Sequence, residues 1–442
     1  MVVSVLDFGV NVGDLKERTK NFQNAIDYCF ENGGGEVFVP AGEYELGGIR
    51  LRSNIVLHLQ SGAKLIGSKN VEDYNIIYND NIQSVPEEFL PENKLAKGRK
   101  IWYNAFILIY NEKNVAIIGE KDSYIDGRNC YNPDGEEKYR GPHAITILKS
   151  EDIKLEGYTV INSANWAHNM WCCKNIFCNS LTIEGGHDGI DFFGSENVKL
   201  VNCRCYTGDD CVAGFDNKDV LIENCEFNSS CSAFRFCGTN VLIRNCNIFG
   251  PGKYPHRSSL SQKEKEEGVN VENLENYRNN MLSFFTYYAD MRLVFKNRPS
   301  NIVIKDCKVN NCDRFLHYNF SGSERWQCNM PLSDITFENV EVENTILPLN
   351  LYGDDNIKVS LTIKNSEINF NKKTRCNSLI NAANFEKIFL QNVSTNLKNE
   401  CAVYAWKDVG EIKIECGNIL DNFNRIMEKP SFDFSKVSGV EI

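Results

Sequence analysis

Two acidic clusters stand in the stretch GHDGIDFFGSENVKLVNCRCYTGDDCVAGFD, residues 186–216: Asp188 and Asp191 first, then the doublet Asp209-Asp210. Like charges held close together disfavour simultaneous ionisation, so one carboxyl keeps its proton near neutral pH while its neighbours stay charged. An acid and a base then coexist. Glycosidic-bond hydrolysis requires that pair: one carboxyl protonates the leaving oxygen, and another activates water or attacks the sugar. A single Asp at a turn also has a plain structural use, because its side chain bonds nearby backbone. The doublet beside Gly208 and Asp188 carry the catalytic reading, and Asp191, further along its strand, is a candidate substrate contact.

The elements that must position these side chains are repeats. A strand-like phrase recurs from Asn114 to Glu411, most regularly as DIKLEG from Asp152, NIFCNS from Asn175, NVKLVNC from Asn197, DVLIENC from Asp219 and NVLIRNC from Asn240. Those starts lie 23, 22, 22 and 21 residues apart. Within each copy apolar and polar residues alternate, the period of a strand with one buried face. Short strands at a fixed period near 22, punctuated by Asn, Asp and Gly, predict an all-β fold: a right-handed parallel β-helix solenoid. Asp188 stands 21 residues from Asp209 and 22 from Asp210, one coil in either count. One coil is about 4.8 Å of stacking, so the three carboxylates are expected to converge on the outer wall.

An open solenoid end would pair with another chain and needs a cap. Residues 15–32 place Phe22, Ala25, Ile26, Cys29 and Phe30 on one helical face before Gly33-Gly34-Gly35, which predicts an N-terminal capping helix. The reading is one domain over 1–442, with the cap and first coils in 1–70 and an inserted, partly helical segment over 252–296 where the repeat spacing jumps. Asn202, Asn224 and Asn245, each before a Cys, read as a stacked turn ladder, with Cys203, Cys225, Cys246 and Cys307 filling the core beneath.

The formal net charge of -11 argues against a nucleic-acid partner and an anionic membrane surface, both of which need clustered Lys and Arg. No basic start followed by an apolar run opens the sequence, and no stretch approaches 18 apolar residues, so neither a signal peptide nor a membrane span is expected. The 18 cysteines form no paired CxxC pattern. A cytoplasmic location with reduced thiols is the expectation. No metal and no cofactor is expected, and the oligomeric state is left open.

Further candidates come from residue chemistry. His187 adjoins Asp188 and could bond substrate, and His168 and His317 are weighed for the same role. Arg235 lies one coil beyond the doublet, where a substrate-contacting cation belongs. Trp166, Tyr288, Tyr318 and Trp326 could stack on a pyranose ring, although burial is the default for an aromatic. Tyr254–Arg257 opens the inserted segment and is placed at one end of the cleft.

The run from SANWAHNM to GDDCVA, with the N-terminal DFGVNVGD and the segment FQNAIDYCFENGGGEVFVPAGEYELGGIRLRSNIVLHLQSGAKLIGS, resembles glycoside hydrolase family 28, the polygalacturonase family of the pectin-degrading β-helix superfamily. The resemblance spans roughly 5–250. It implies that Asp209 is the general acid, that Asp188 and Asp210 position and deprotonate the attacking water, and that the reaction inverts. The family's next motifs differ here: SSCSAFRFCG, with Cys231 and Ser232, stands where a Gly-His-Gly is expected, and its Arg-Ile-Lys is missing.

The function expected is therefore a glycoside hydrolase acting on a plant-derived, pectin-like oligosaccharide, exo-acting if the insertion blocks one end of the groove. Two rivals remain. A calcium-dependent polysaccharide lyase would use the acids as ligands and a Lys or Arg as base, and the sequence places no obvious basic partner beside Asp188. A non-catalytic carbohydrate-binding β-helix would need no converging acids.

Overall fold

The computed structural model describes residues 1–74, 104–269, 278–320, 324–372, 374, 376, 378–397, 401–417 and 423–425. These group into two compact units, residues 1–209 with 254–278, and residues 210–253 with 279–442.

The first unit opens with helix α1, Leu15–Glu31, whose N-cap Asp14 accepts the Glu17 amide at 2.9 Å. Phe22, Ala25, Ile26 and Cys29 form its buried face. Thr19 and Gln23 accept the amides of Gly47 and Arg50, so α1 covers the first coils and satisfies donors that a bare edge would expose.

Beyond it three parallel ladders rise. One joins Gly35–Val39, Ile55–Leu59, Lys113–Gly119, Glu151–Glu156, Lys174–Asn179 and Glu196–Val201. A second joins Gly42–Leu46, Ala63–Gly67, Tyr124–Asp126, Thr159–Ile161, Thr182–Gly185 and Arg204–Thr207. The third joins Ile49–Leu51, Ala105–Tyr110, His143–Leu148, His168–Trp171 and Ile190–Phe193. Register follows the apolar alternation. Ile153 faces Ile176 and then Val198, while Leu155 faces Cys178 and then Leu200, all buried. Truncating one such residue to Ala typically costs about 2–5 kcal/mol.

Asparagine makes the coils repeat. Asn175 and Asn197 both adopt left-handed backbone, φ 54 and 56, which Asn tolerates better than most residues. Their side chains also stack: Asn175 donates to Asp152 at 2.8 Å and Asn197 to Asn175 at 2.8 Å.

The second unit repeats this plan. Val212–Glu223 pairs with Ser232–Arg244, whose Val241–Arg244 portion continues through Ser300–Lys305, Asp334–Glu338, Val359–Phe370, Phe385–Ser394 and Glu411–Gly417. Asn240 donates to Asp219 and Asn301 to Asn240. Asn224 and Asn245 are left-handed, and the buried thiols of Cys225, Cys246 and Cys307 donate to the carbonyl two residues back.

The inserted segment is shorter than its sequence suggested. A helix, α2, does form at Gln262–Glu266 with a capping box on Ser261. Residues 270–277 of the charged run lie outside the described residues. Met281–Tyr287 is no excursion: it is a coil strand between Ser232–Arg244 and Cys312–Asn319. Nearly all of it is buried on both faces, which erases the alternation that marks a half-exposed strand.

Candidate active site

Asp188 lies in the turn between strands Thr182–Gly185 and Ile190–Phe193, and Asp209 in the turn that follows Arg204–Thr207, one coil on. The Gly208 amide donates to the Gly185 carbonyl at 2.8 Å, which stacks the two turns. Thr207 then donates to the Asp209 carbonyl and ties that turn from within. Carboxylate oxygens of Asp188 and Asp209 approach within 4.8 Å. Both side chains are only 9% exposed, so they face an enclosed space and not an open wall.

What holds two carboxylates so close is Arg140, from the loop between Tyr124–Asp126 and His143–Leu148. Its Nη2 donates to Asp209 Oδ2 at 3.1 Å and its Nη1 stands 3.9 Å from Asp188 Oδ2. The same guanidinium donates to Glu137 at 2.9 Å and to Asn165 at 3.3 Å. Burial works against its charge, but Glu137, Glu136, Tyr139 and Asp209 together raise Arg140 well above its ordinary value. Arg140 is a permanent cation. Burial likewise opposes ionisation of Glu137, yet the charge and hydrogen bond of Arg140 hold its carboxyl below the usual range.

A second donor reaches Asp209 from the inserted segment, where His256 Nε2 lies 3.1 Å from the same Oδ2. Neighbours of His256 seal the turns. Tyr254 donates to Glu184 at 3.0 Å, and the Arg257 amide to the Gly186 carbonyl at 3.4 Å. Arg257 is buried, donates to Asn129 at 2.7 Å and lies over the Tyr139 ring. Both motif glycines follow from this packing: a Cβ on Gly208 would sit 2.1 Å from the Pro255 carbonyl, and one on Gly186 would sit 2.1 Å from Arg257 Cγ.

The other sequence candidates divide. His187 is buried and stacked on Tyr139, with neither ring nitrogen hydrogen-bonded among the described residues. Burial, then Arg140 and Arg257, push its imidazole far below the ordinary value, so it stays neutral. In the second unit, Asp210 accepts the Ser232 amide at 3.0 Å and has Arg235 at 3.7 Å. Arg235 lies over the rings of Tyr288 and Trp326, and His317 meets Glu324 at 3.0 Å. Glu324 in turn feels both His317 and Arg235, so these candidates share one neighbourhood beside Asp210. Three others lie elsewhere. Asp191 and His168 are fully buried in their strands, His168 against the Tyr158 hydroxyl at 2.9 Å, and Trp166 packs on Phe193 and His143. Tyr318 is buried too, edge-on to Tyr287.

Sequence reasoning missed Arg140 and Glu137, and it placed His256 only as part of Tyr254–Arg257 at one end of the cleft. The first two sit in an irregular loop outside any repeat. For His256 the signal was its place in Tyr254–Arg257, at the mouth of the insertion.

The sequence model for Glycosyl hydrolases family 28 matches residues 30–230. Over that stretch the chain is similar to glycosyl hydrolases family 28. The match ends one residue before Cys231. A "Probable polygalacturonase" of Vitis vinifera is 30% identical over 223 residues, covering 48% of this chain and 43% of the relative. An "Exo-poly-alpha-D-galacturonosidase" of Dickeya chrysanthemi is 24% identical over 256 residues, covering 48% and 41%. The chain thus spans less than half the length of these relatives. Among solved structures, a hyperthermoactive exopolygalacturonase from Thermotoga maritima superposes with a TM-score of 0.64 at 19% identity, covering 90% of this chain and 92% of that one. This likeness concerns fold, and the fold is a right-handed parallel β-helix.

Proposed function

We propose that this chain is a family 28 glycoside hydrolase that cleaves a pectin-like oligosaccharide by carboxylate acid/base chemistry. The observation that carries the reading is the convergence of Asp188 and Asp209, one coil apart, on the single guanidinium of Arg140. A structural turn aspartate needs no second carboxylate, and a sugar-binding surface needs neither.

Asp209 is assigned the proton donor and Asp188 the carboxylate that orients and deprotonates water, with Asp210, next in the chain, assisting. Arg140 and His256 both reach Asp209 Oδ2, which orients its carboxyl for proton transfer. Arg140 stands beside Asp188 as a fixed positive charge. The oxygens approach more closely than the roughly 6.5–9.5 Å typical of inverting pairs, so inversion, which the family resemblance implies, has the water seated beside the pair and not between its members. Exo action fits an inserted segment packed against the catalytic turns.

The lyase reading gains a basic residue beside Asp188 that the sequence hid, but Arg140 holds its proton too tightly to serve as base. Incubation with oligogalacturonides and neutral aryl glycosides tests the proposal. A new reducing end without ultraviolet absorbance, lost in Asp209→Asn, is expected; an unsaturated product, or undiminished turnover in that variant, refutes it. Proton NMR of the first product anomer reads the stereochemistry.

A further inference from the structure

We propose that His256, carried by the inserted segment and not by any coil, is the positioning residue that fixes the catalytic carboxyl of Asp209. This rests on the hydrolase reading above and adds a residue to it. The geometry determines which proton the imidazole carries. Ser258 donates its backbone N–H to His256 Nδ1 at 3.2 Å, and its hydroxyl reaches the same nitrogen. A backbone N–H can only donate, so Nδ1 is the acceptor and the ring proton belongs on Nε2. That Nε2–H points to Asp209 Oδ2 at 3.1 Å. With Arg140 Nη2 on the same oxygen, Oδ2 receives two donors, and the transferable proton of Asp209 is directed to Oδ1.

The rest of the segment makes this placement rigid. Consecutive residues each touch a catalytic turn or the strand leading into it: Tyr254 holds Glu184, the Pro255 carbonyl closes on Gly208, His256 meets Asp209, and the Arg257 amide holds Gly186. Further along, Gln262 donates to Tyr131 and Lys265 lies over Tyr139. His256 is 13% exposed at its side chain, so water competes little for the contact. The charged groups around the pair are Asp188, Arg140 and Glu137 from the coil turns, Arg257 from its own segment, and the neutral His187.

Two variants separate positioning from mere packing. His256→Phe keeps a ring and removes the donor, whereas His256→Gln keeps an N–H where Nε2 stood. A hydrogen bond to a charged partner corresponds to about a 10- to 100-fold effect. The Phe variant is expected to lose that much kcat on an oligogalacturonide with little change in KM. Because a lost donor raises the pKa of Asp209, the basic limb of its pH–rate profile should move up by about one to two units. Gln should restore most of both. An unmoved limb with no rescue by Gln overturns the proposal. A second readout needs no catalysis: nitrogen-15 imidazole spectra should show His256 as the Nε2–H tautomer, with that proton signal displaced in Asp209→Asn. An Nδ1–H tautomer, or a signal indifferent to Asp209, overturns it. A chain that cleaves no glycoside yet shows the displaced signal would refute the hydrolase reading and leave the pairing intact.

Discussion

Arg140 reaches Asp209 at 3.1 Å from a loop three coils earlier, and its other nitrogen lies 3.9 Å from Asp188. Two buried carboxylates at this spacing would repel strongly without it. Removing a partner from a buried charge network typically costs about 3–5 kcal/mol, because uncompensated charge is left behind. Arg140→Met is expected to lower stability by that order and activity by at least about 100-fold. Arg140→Lys, with a charge but no fork, should recover stability better than activity. Denaturant unfolding and steady-state kinetics on the same preparations check both.

Asp209→Asn is close to isosteric and leaves the amide oxygen able to receive His256. Its kcat is expected to fall by at least about 1,000-fold, within the range a general acid contributes, while substrate still binds. Calorimetric titration with an oligosaccharide separates the two effects, and lost binding would move Asp209 out of the proton-donor role.

Gly208→Ala tests the close approach of the inserted segment to the catalytic turn. Its Cβ would meet the Pro255 carbonyl at 2.1 Å and the Gly186 carbonyl at 2.6 Å, both backbone atoms with little freedom. The backbone of Gly208 is not left-handed, so the penalty is steric and not conformational. A loss of about 1–3 kcal/mol in stability, with a larger fractional loss in kcat, is expected. Ordinary stability and full activity would show that segment 254–257 stands off the site in solution.

Arg235→Ala removes a cation that lies over Tyr288 and Trp326 and stands 3.7 Å from Asp210. If it reads a substrate carboxylate, KM for an acidic oligosaccharide should rise about tenfold or more, and a neutral substrate should be unaffected. Comparing galacturonide with galactoside substrates decides this.

Acid limits the fold. Burial lowers His168 from the ordinary 6.5 to about 4. The unfolded chain therefore binds a proton between those values that the native chain refuses, and stability falls as pH drops from 6.5 toward 4. The full loss is about 3 kcal/mol. His168→Gln should flatten that slope by one proton in melts taken across the range.

Much of this was legible in the residues. The 22-residue period and its alternation made coils, because a strand with one buried face must alternate and a stacked coil must repeat its length. The cap followed from helical spacing at Phe22, Ala25, Ile26 and Cys29. Spacing brought Asp188 beside Asp209, since one lap of the chain is one step of the stack. Met281–Tyr287 escaped for the opposite reason: buried on both faces, it has no alternation to detect.

Local pattern, then, determined the solenoid, its cap and the acids that share a turn, because each depends on interactions that recur at a fixed distance along the chain. Only tertiary structure decided the electrostatics of those acids. Arg140 and His256 come from irregular loops with no period, and their service to Asp209 depends on how two unrelated segments pack over one turn. Charge acts through space, and the sequence records distance only along the chain.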